Sequence, residues 1–319
     1  MQELRKLEKD THTFLILLFS NSQIMKKILM TWAAVLCCLG PAQAQLLYKI
    51  SGNGLKEPSY IVGTNHTAAI SFVDSISGLR RAMNNTQQVY GETKMGSFDL
   101  TNEELDKFML LPDGLTLDSL LSADEMKRLS AFMVDSCKMD SDDVELYLDL
   151  KPLPLAIYLC YLRDGFKETL TSNGGTLFDD YFQKEALAQG KEIGGLETAK
   201  FLLICEKISL ERQKQMLMCT VDHHKRPEEK GSTLKTYYSQ DIEAIWKEFN
   251  DHIDEDCAFT SQEAAMLCTV RNYAWMEKIP TLMSSKSTLF TVGCLHLPGP
   301  DGVLNLLRQA GYTVEAVTE

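Results

Sequence analysis

One phrase occurs twice, near opposite ends of the chain: Tyr60-Ile61-Val62-Gly63-Thr64-Asn65-His66 and Leu289-Phe290-Thr291-Val292-Gly293-Cys294-Leu295-His296. Each is a short apolar run, then Gly, two residues and His. Runs of this length rich in β-branched and aromatic residues read as buried strands, and the Gly that follows permits a turn or a close backbone approach where the strand ends. In open α/β sheets that edge is where ligands bind, so two imidazoles brought there by the same device from distant segments point to a shared site.

Residues 1–44 read as a leader. Within it, residues 25–44 form a signal peptide: Met25-Lys26-Lys27 is a basic start, residues 28–39 are an apolar stretch short for a bilayer span, and Ala42-Gln43-Ala44 is a small-residue cleavage signature. Cys37 and Cys38 lack a small residue ahead of them, so export without a lipid anchor is expected. The mature chain, residues 45–319, is expected in the periplasm or secreted. The leader holds five basic and three acidic residues; of the 32 basic and 44 acidic in the full chain, 27 and 41 remain, a net charge of −14. Such a balance disfavours nucleic acid and anionic membranes as partners, leaving a peptide or small molecule. Of nine cysteines, seven follow the leader in no C-x-x-C or zinc-ribbon spacing, so an oxidising compartment would leave at least one unpaired among one to three disulfides. Cys294 reads as a small buried residue at a strand end rather than a nucleophile.

The two ends of the mature chain are strand-rich and the long middle is helical. Residues 46–50, 60–62 and 88–90 read as strands, with a helix at 77–84 between the last two. Residues 288–292 and 312–317 read as strands flanking a helix at 302–310. In the middle, Thr101 with Glu104 and Ser122 with Glu125 are capping-box signatures, and residues 155–162, 178–189, 199–204, 240–249 and 262–277 are helical candidates. The fold expected is α+β: a mixed sheet from the N- and C-terminal segments with a large helical middle section packed on it.

His66 and His296 together with one carboxylate make a set able to hold Zn²⁺, Mn²⁺ or Fe²⁺ with positions left open for water. Glu92, just past the strand that ends in Val89-Tyr90-Gly91, is the carboxylate at the same level. The alternative is that each His hydrogen-bonds a loop and Glu92 is a solvated turn residue. Gly194-Gly195-Leu196-Glu197 places an acid after a Gly turn and before a helix, where it can complement the helix dipole. Arg271-Asn272, inside an apolar helical stretch, reads equally as a buried pair orienting other polar groups or as a surface pair. Asp222-His223-His224, leading into a charge run, reads as a surface loop. H-E-x-x-H, G-x-S-x-G and G-x-x-x-x-G-K-[ST] are all missing from the sequence.

Taken together, the first G-x-x-H phrase, Tyr90-Gly91-Glu92, Gly195-Leu196-Glu197-Thr198, Arg271-Asn272 and above all Val292-Gly293-Cys294-Leu295-His296-Leu297-Pro298-Gly299-Pro300-Asp301-Gly302-Val303 resemble the TraB/GumN family. That family is related to the Tiki-type proteases and similar in fold to the erythromycin-esterase and ChaN-like proteins. The resemblance implies an active site of His66, Glu92 and His296, supported by Glu197, Arg271 and Asn272. It also implies a divalent metal (Mn²⁺, Co²⁺ or Zn²⁺) in a peptidase-like hydrolase, with a metal-independent esterase or a non-catalytic peptide- or signal-binding regulatory protein as the other readings. Cys294 departs from the small residue expected there.

Overall fold

The paired phrases become neighbouring parallel strands. In the computed structural model, which describes residues 45–97, 99–223, 232–253 and 257–318, a six-stranded sheet is built from β1 (Leu47–Ser51), β2 (Ser59–Thr64), β3 (Gln88–Gly91), β4 (Glu192–Gly195), β5 (Thr288–Gly293) and β6 (Thr313–Ala316). The leader and its signal peptide lie outside the described residues. Strand order is β4-β3-β5-β2-β1-β6. The first four in that order are mutually parallel, and β1 runs against both β2 and β6. Gly63 pairs with Val292 and Thr64 with Gly293, so both G-x-x-H phrases leave the sheet side by side. β5 is central, and its Leu289, Phe290 and Val292 have no exposed surface. A strand covered on both faces is why the sequence there is continuously apolar rather than alternating.

The helices used below are α1 (Leu79–Asn85), α2 (Asn102–Met109), α3 (Ala123–Asp135), α4 (Pro152–Arg163), α5 (Phe178–Ala188), α6 (Leu210–His223), α7 (Ser232–Tyr238), α8 (Ile242–Asp251), α9 (Val270–Met276) and α10 (Val303–Gln309). Both predicted capping boxes are formed: Thr101 caps α2 and Ser122 caps α3, each with its Glu returning to the cap amide. One apolar core joins the sheet to α1, α5 and α10, with Tyr237 and Trp275 buried in it. A second core lies in the middle section among α3, α4 and α6, around Leu129, Phe132, Leu155, Leu159 and Leu217. Residues 44–319 nevertheless cluster as one compact unit. The architecture is the expected α+β one, with the helical middle on a mixed sheet. Among the described residues no helix is long and apolar enough to cross a membrane.

Two local readings differ from the structure. Gly194 and Gly195 are not a turn but the end of β4, paired in parallel with Tyr90 and Gly91; a Gly-rich four-residue strand carries no apolar alternation by which to recognise it. Asp222 is in the last turn of α6 rather than in a loop, and both its oxygens accept from Arg128 Nη1 at 2.6 Å. His224 and the charge run after it lie outside the described residues. The predicted helix at 262–277 contains a π turn over Ala265–Thr269, where the Val270 amide bonds the Ala265 carbonyl, directly before α9.

Candidate functional site

Every strand of the parallel set ends in a residue of the site. β2 leads to His66, β3 to Glu92, β4 to Glu197 and β5 to His296, while α9 supplies Arg271 and Asn272. All six predicted site residues therefore meet at one edge of the sheet. The strand ends are themselves clamped together, since the Leu196 amide donates to the Gly91 carbonyl at 3.0 Å and the Glu197 amide to the Glu92 carbonyl at 2.8 Å.

Arg271 organises the cluster. It is 9% exposed, and its donors are all directed inward. Nε donates to Glu197 at 2.9 and 3.2 Å, Nη1 to the Leu267 carbonyl at 3.0 Å and to His296 Nε2 at 3.0 Å, and Nη2 to both Glu92 and Glu197. The guanidinium also lies over two rings, 4.3 Å from the Phe201 centroid and 5.1 Å from that of Trp275. The π turn just before it is a kind of helix irregularity frequent at functional sites, and it carries the Leu267 carbonyl that accepts from this guanidinium.

A guanidinium has no acceptor, so the bond to His296 fixes that ring's tautomer. Nε2 must accept, and Nδ1–H donates to Asn272 Oδ1 at 2.7 Å. Asn272, 2% exposed, is held in turn by donating to the Asp301 carbonyl at 2.8 Å and the His296 carbonyl at 3.3 Å. Burial pushes the His296 imidazolium down to about 4, against the pull of Glu92. His296 is therefore neutral at physiological pH, with both ring nitrogens engaged.

Glu92 lies beside it, Oε1 accepting from the Gly293 amide at 2.7 Å and Oε2 from Arg271. Burial would raise its carboxyl, but His296, Arg271 and His66 together with the Gly293 N–H pull it down to about 2, so it is ionised. Gly293 lets the carboxylate approach closely: a Cβ on it would stand 3.1 Å from Glu92 Oε1 and press it aside. Glu197 is held above the ordinary carboxylate range by burial, with Arg271 opposing. It caps no helix dipole as its sequence position suggested; it is the second carboxylate on the guanidinium.

His66 differs from His296 in both exposure and partner. Half of its side chain (52%) is exposed, and Nδ1 donates at 2.6 Å to Oδ2 of Asp179, in the first turn of α5. The other Asp179 oxygen accepts from Thr64 Oγ1, the last residue of β2. The Asp179 charge pushes the His66 imidazolium up to about 9 in spite of desolvation, and Glu92 and Arg271 are close enough to act on it as well. Nε2 has no hydrogen-bond partner among the described residues. Asp179 is a functional residue that the sequence reading missed. It lies 113 positions from His66, and an acid in the first turn of an amphipathic helix is fully accounted for by the helix dipole.

His66, Glu92, Arg271 and His296 line a cavity of about 780 Å³ that also takes in Asn65, Cys160, Tyr161, Arg163 and Cys268. Burial raises the thiols of Cys268 to about 11 and of Cys294 to about 12, which leaves neither a nucleophile. The three residues expected to bind a metal do reach this cavity. As arranged, however, they do not fit a three-ligand ion: a guanidinium lies between two of them and donates to His296 Nε2 and Glu92 Oε2, the lone pairs a metal would need. Among the described residues no group of three or more His, Cys, Asp or Glu is placed to hold one.

Residues 46–316 match the sequence profile of the TraB/PrgY/gumN family. The chain belongs to that family. The match begins just before β1 and ends with β6, so it takes in every strand and every residue of the site. Neither the curated proteins nor the solved structures include a match to it.

Proposed function

We propose that this TraB/PrgY/gumN-family chain is an exported hydrolase that cleaves a peptide or related acyl bond in the cavity at the carboxyl ends of β2, β3 and β5. One observation carries the reading. An Asp-paired histidine with a free Nε2 and an ionised carboxylate held by arginine face the same cavity, and their environments drive their proton affinities in opposite directions. At neutral pH His66 carries the proton and Glu92 does not. In the step this supports, Glu92 takes a proton from a water as its oxygen adds to the carbonyl carbon. Protonated His66 gives its Nε2 proton to the leaving nitrogen or oxygen as that bond breaks, and the proton on Glu92 returns to His66 on product release. Arg271 keeps Glu92 charged and placed. His296 accepts from Arg271 and is itself held by Asn272, so the pair positions the guanidinium. Export is supported by the disulfide between Cys219 and Cys257, which belongs in an oxidising compartment.

A divalent ion (Mn²⁺, Co²⁺ or Zn²⁺) bound by His66, Glu92 and His296 is the second reading, favoured by the convergence of all three on one cavity and requiring Arg271 to give up its bonds to His296 Nε2 and Glu92 Oε2. The test is hydrolysis of a peptide library by the purified protein after chelation and after re-addition of each metal, with His66→Ala and Glu92→Gln alongside. Turnover that survives chelation and is lost in both variants supports the first reading. Turnover only with metal selects the second. Ligand capture without turnover would replace both with a binding protein.

A further inference from the structure

The cavity has two chemically distinct parts, and only one is used by the chemistry above. Its polar groups come from the strand ends, Arg271 and the Arg163–Asp164 pair at the end of α4, whereas Tyr161, Leu234, Phe249, Phe259, Leu267 and Leu295 supply an apolar wall, five of them from the segments inserted between the strands. All six side chains are only partly buried, neither sealed in a core nor among the exposed large apolar residues. Apolar surface left open to a concave space is what a ligand would cover. The charges near this wall are already matched within the protein: Arg163 donates to Asp164 at 2.7 and 3.1 Å, Arg271 is committed to Glu92 and Glu197, and His66 to Asp179. Apart from the Nε2–H of His66, at the reacting end, no charged group of the described lining is left without a counter-charge, so a charged side chain on the wall would be desolvated without a partner. A volume of about 780 Å³ holds several residues or an equivalent acyl group, well beyond the reacting atoms alone.

We propose that this wall is a specificity subsite for a bulky, uncharged apolar group, aromatic or branched aliphatic, carried next to the carbonyl presented to His66 and Glu92. What is cleaved rests on the hydrolase reading; what is bound does not. Tyr161, Phe249 and Phe259 contribute aromatic rings and Leu234, Leu267 and Leu295 aliphatic side chains, so the subsite discriminates by size and charge rather than by hydrogen bonds.

The test is calorimetric titration of the full protein with acetyl-Leu-Phe-amide, acetyl-Ser-Glu-amide and acetyl-Ser-Lys-amide, with hydrolysis of each followed separately. The apolar peptide is expected to bind at least about tenfold more tightly than either charged one, and Phe249→Ala and Phe259→Ala are each expected to narrow that ratio several-fold. Equal affinity for the three peptides in the unaltered protein, or preference for a charged one, overturns the proposal and requires no variant to fold. Apolar preference without turnover upholds the subsite and removes the hydrolase reading; turnover without preference does the reverse.

Discussion

Replacing Arg271 by Met keeps the length of the side chain and removes the guanidinium that faces Glu92, Glu197 and His296. The side chains of Arg271, Glu92 and Glu197 are 10%, 16% and 15% exposed, so water cannot take over the lost bonds without opening the site. Removing one partner from a buried ionic network leaves uncompensated charge and costs about 3–5 kcal/mol, a large share of the 5–15 kcal/mol typical of a whole domain. For a chain of this size that corresponds to a fall in Tm of about 6–10 °C. The loss should also depend on pH. Without the cation, burial and mutual repulsion raise both carboxyls above their unfolded values. Stability from their protonated forms is then present in acid and disappears as pH rises. In the unaltered protein Glu92 titrates near 2 and changes nothing between pH 5 and 7. Urea denaturation should therefore show a deficit for Arg271→Met that is smaller at pH 5 than at pH 7 by at least about 1 kcal/mol. Adding Glu197→Gln should cost less than the sum of the two single changes. A deficit below about 1 kcal/mol, or one identical at both pH values, would refute the account of Arg271 as the centre of a buried ionic network.

Other consequences can be measured independently. His66 is raised from 6.5 to about 9 by Asp179, so the stability it contributes is whole below pH 6.5 and is lost as pH climbs through 9; NMR titration should find its pKa close to the ordinary histidine value in Asp179→Asn, and an unmoved titration would break the pair. Gly293→Ala should lower turnover by about 10–100-fold while leaving Tm nearly unchanged, because φ is −50° and the added Cβ presses on Glu92 Oε1 rather than on the core; full activity would mean that Glu92 does not need its present position. The disulfide spans 38 residues, so reducing it, or Cys219→Ser with Cys257→Ser, should cost roughly 2–4 kcal/mol in denaturant unfolding. Equal midpoints with and without reductant would contradict that.

The sequence by itself determined the strands that carry local signals and the residues they deliver. β1, β2, β3, β5 and β6 were legible because fully or half-buried strands must be apolar in a continuous or alternating run, and the capping boxes of α2 and α3 because their hydrogen bonds close within four residues. His66, Glu92 and His296 could be assigned to one edge because strand, Gly and His are contiguous in the chain. β4 could not be seen, since Glu192–Gly195 has almost no side-chain pattern and exists through its pairing with β3. Asp179 could not be tied to His66, nor Glu197 to Arg271, because partners 113 and 74 positions apart are joined only when the chain folds. Tertiary structure also decided the protonation of the two histidines. The same G-x-x-H phrase yields a half-exposed imidazole raised by a carboxylate and a buried one kept neutral first by its burial and secondarily by a guanidinium. Proton affinity depends on the charges and solvent within a few ångströms of the ring, and these come from α5 and α9 rather than from the strands that carry the histidines.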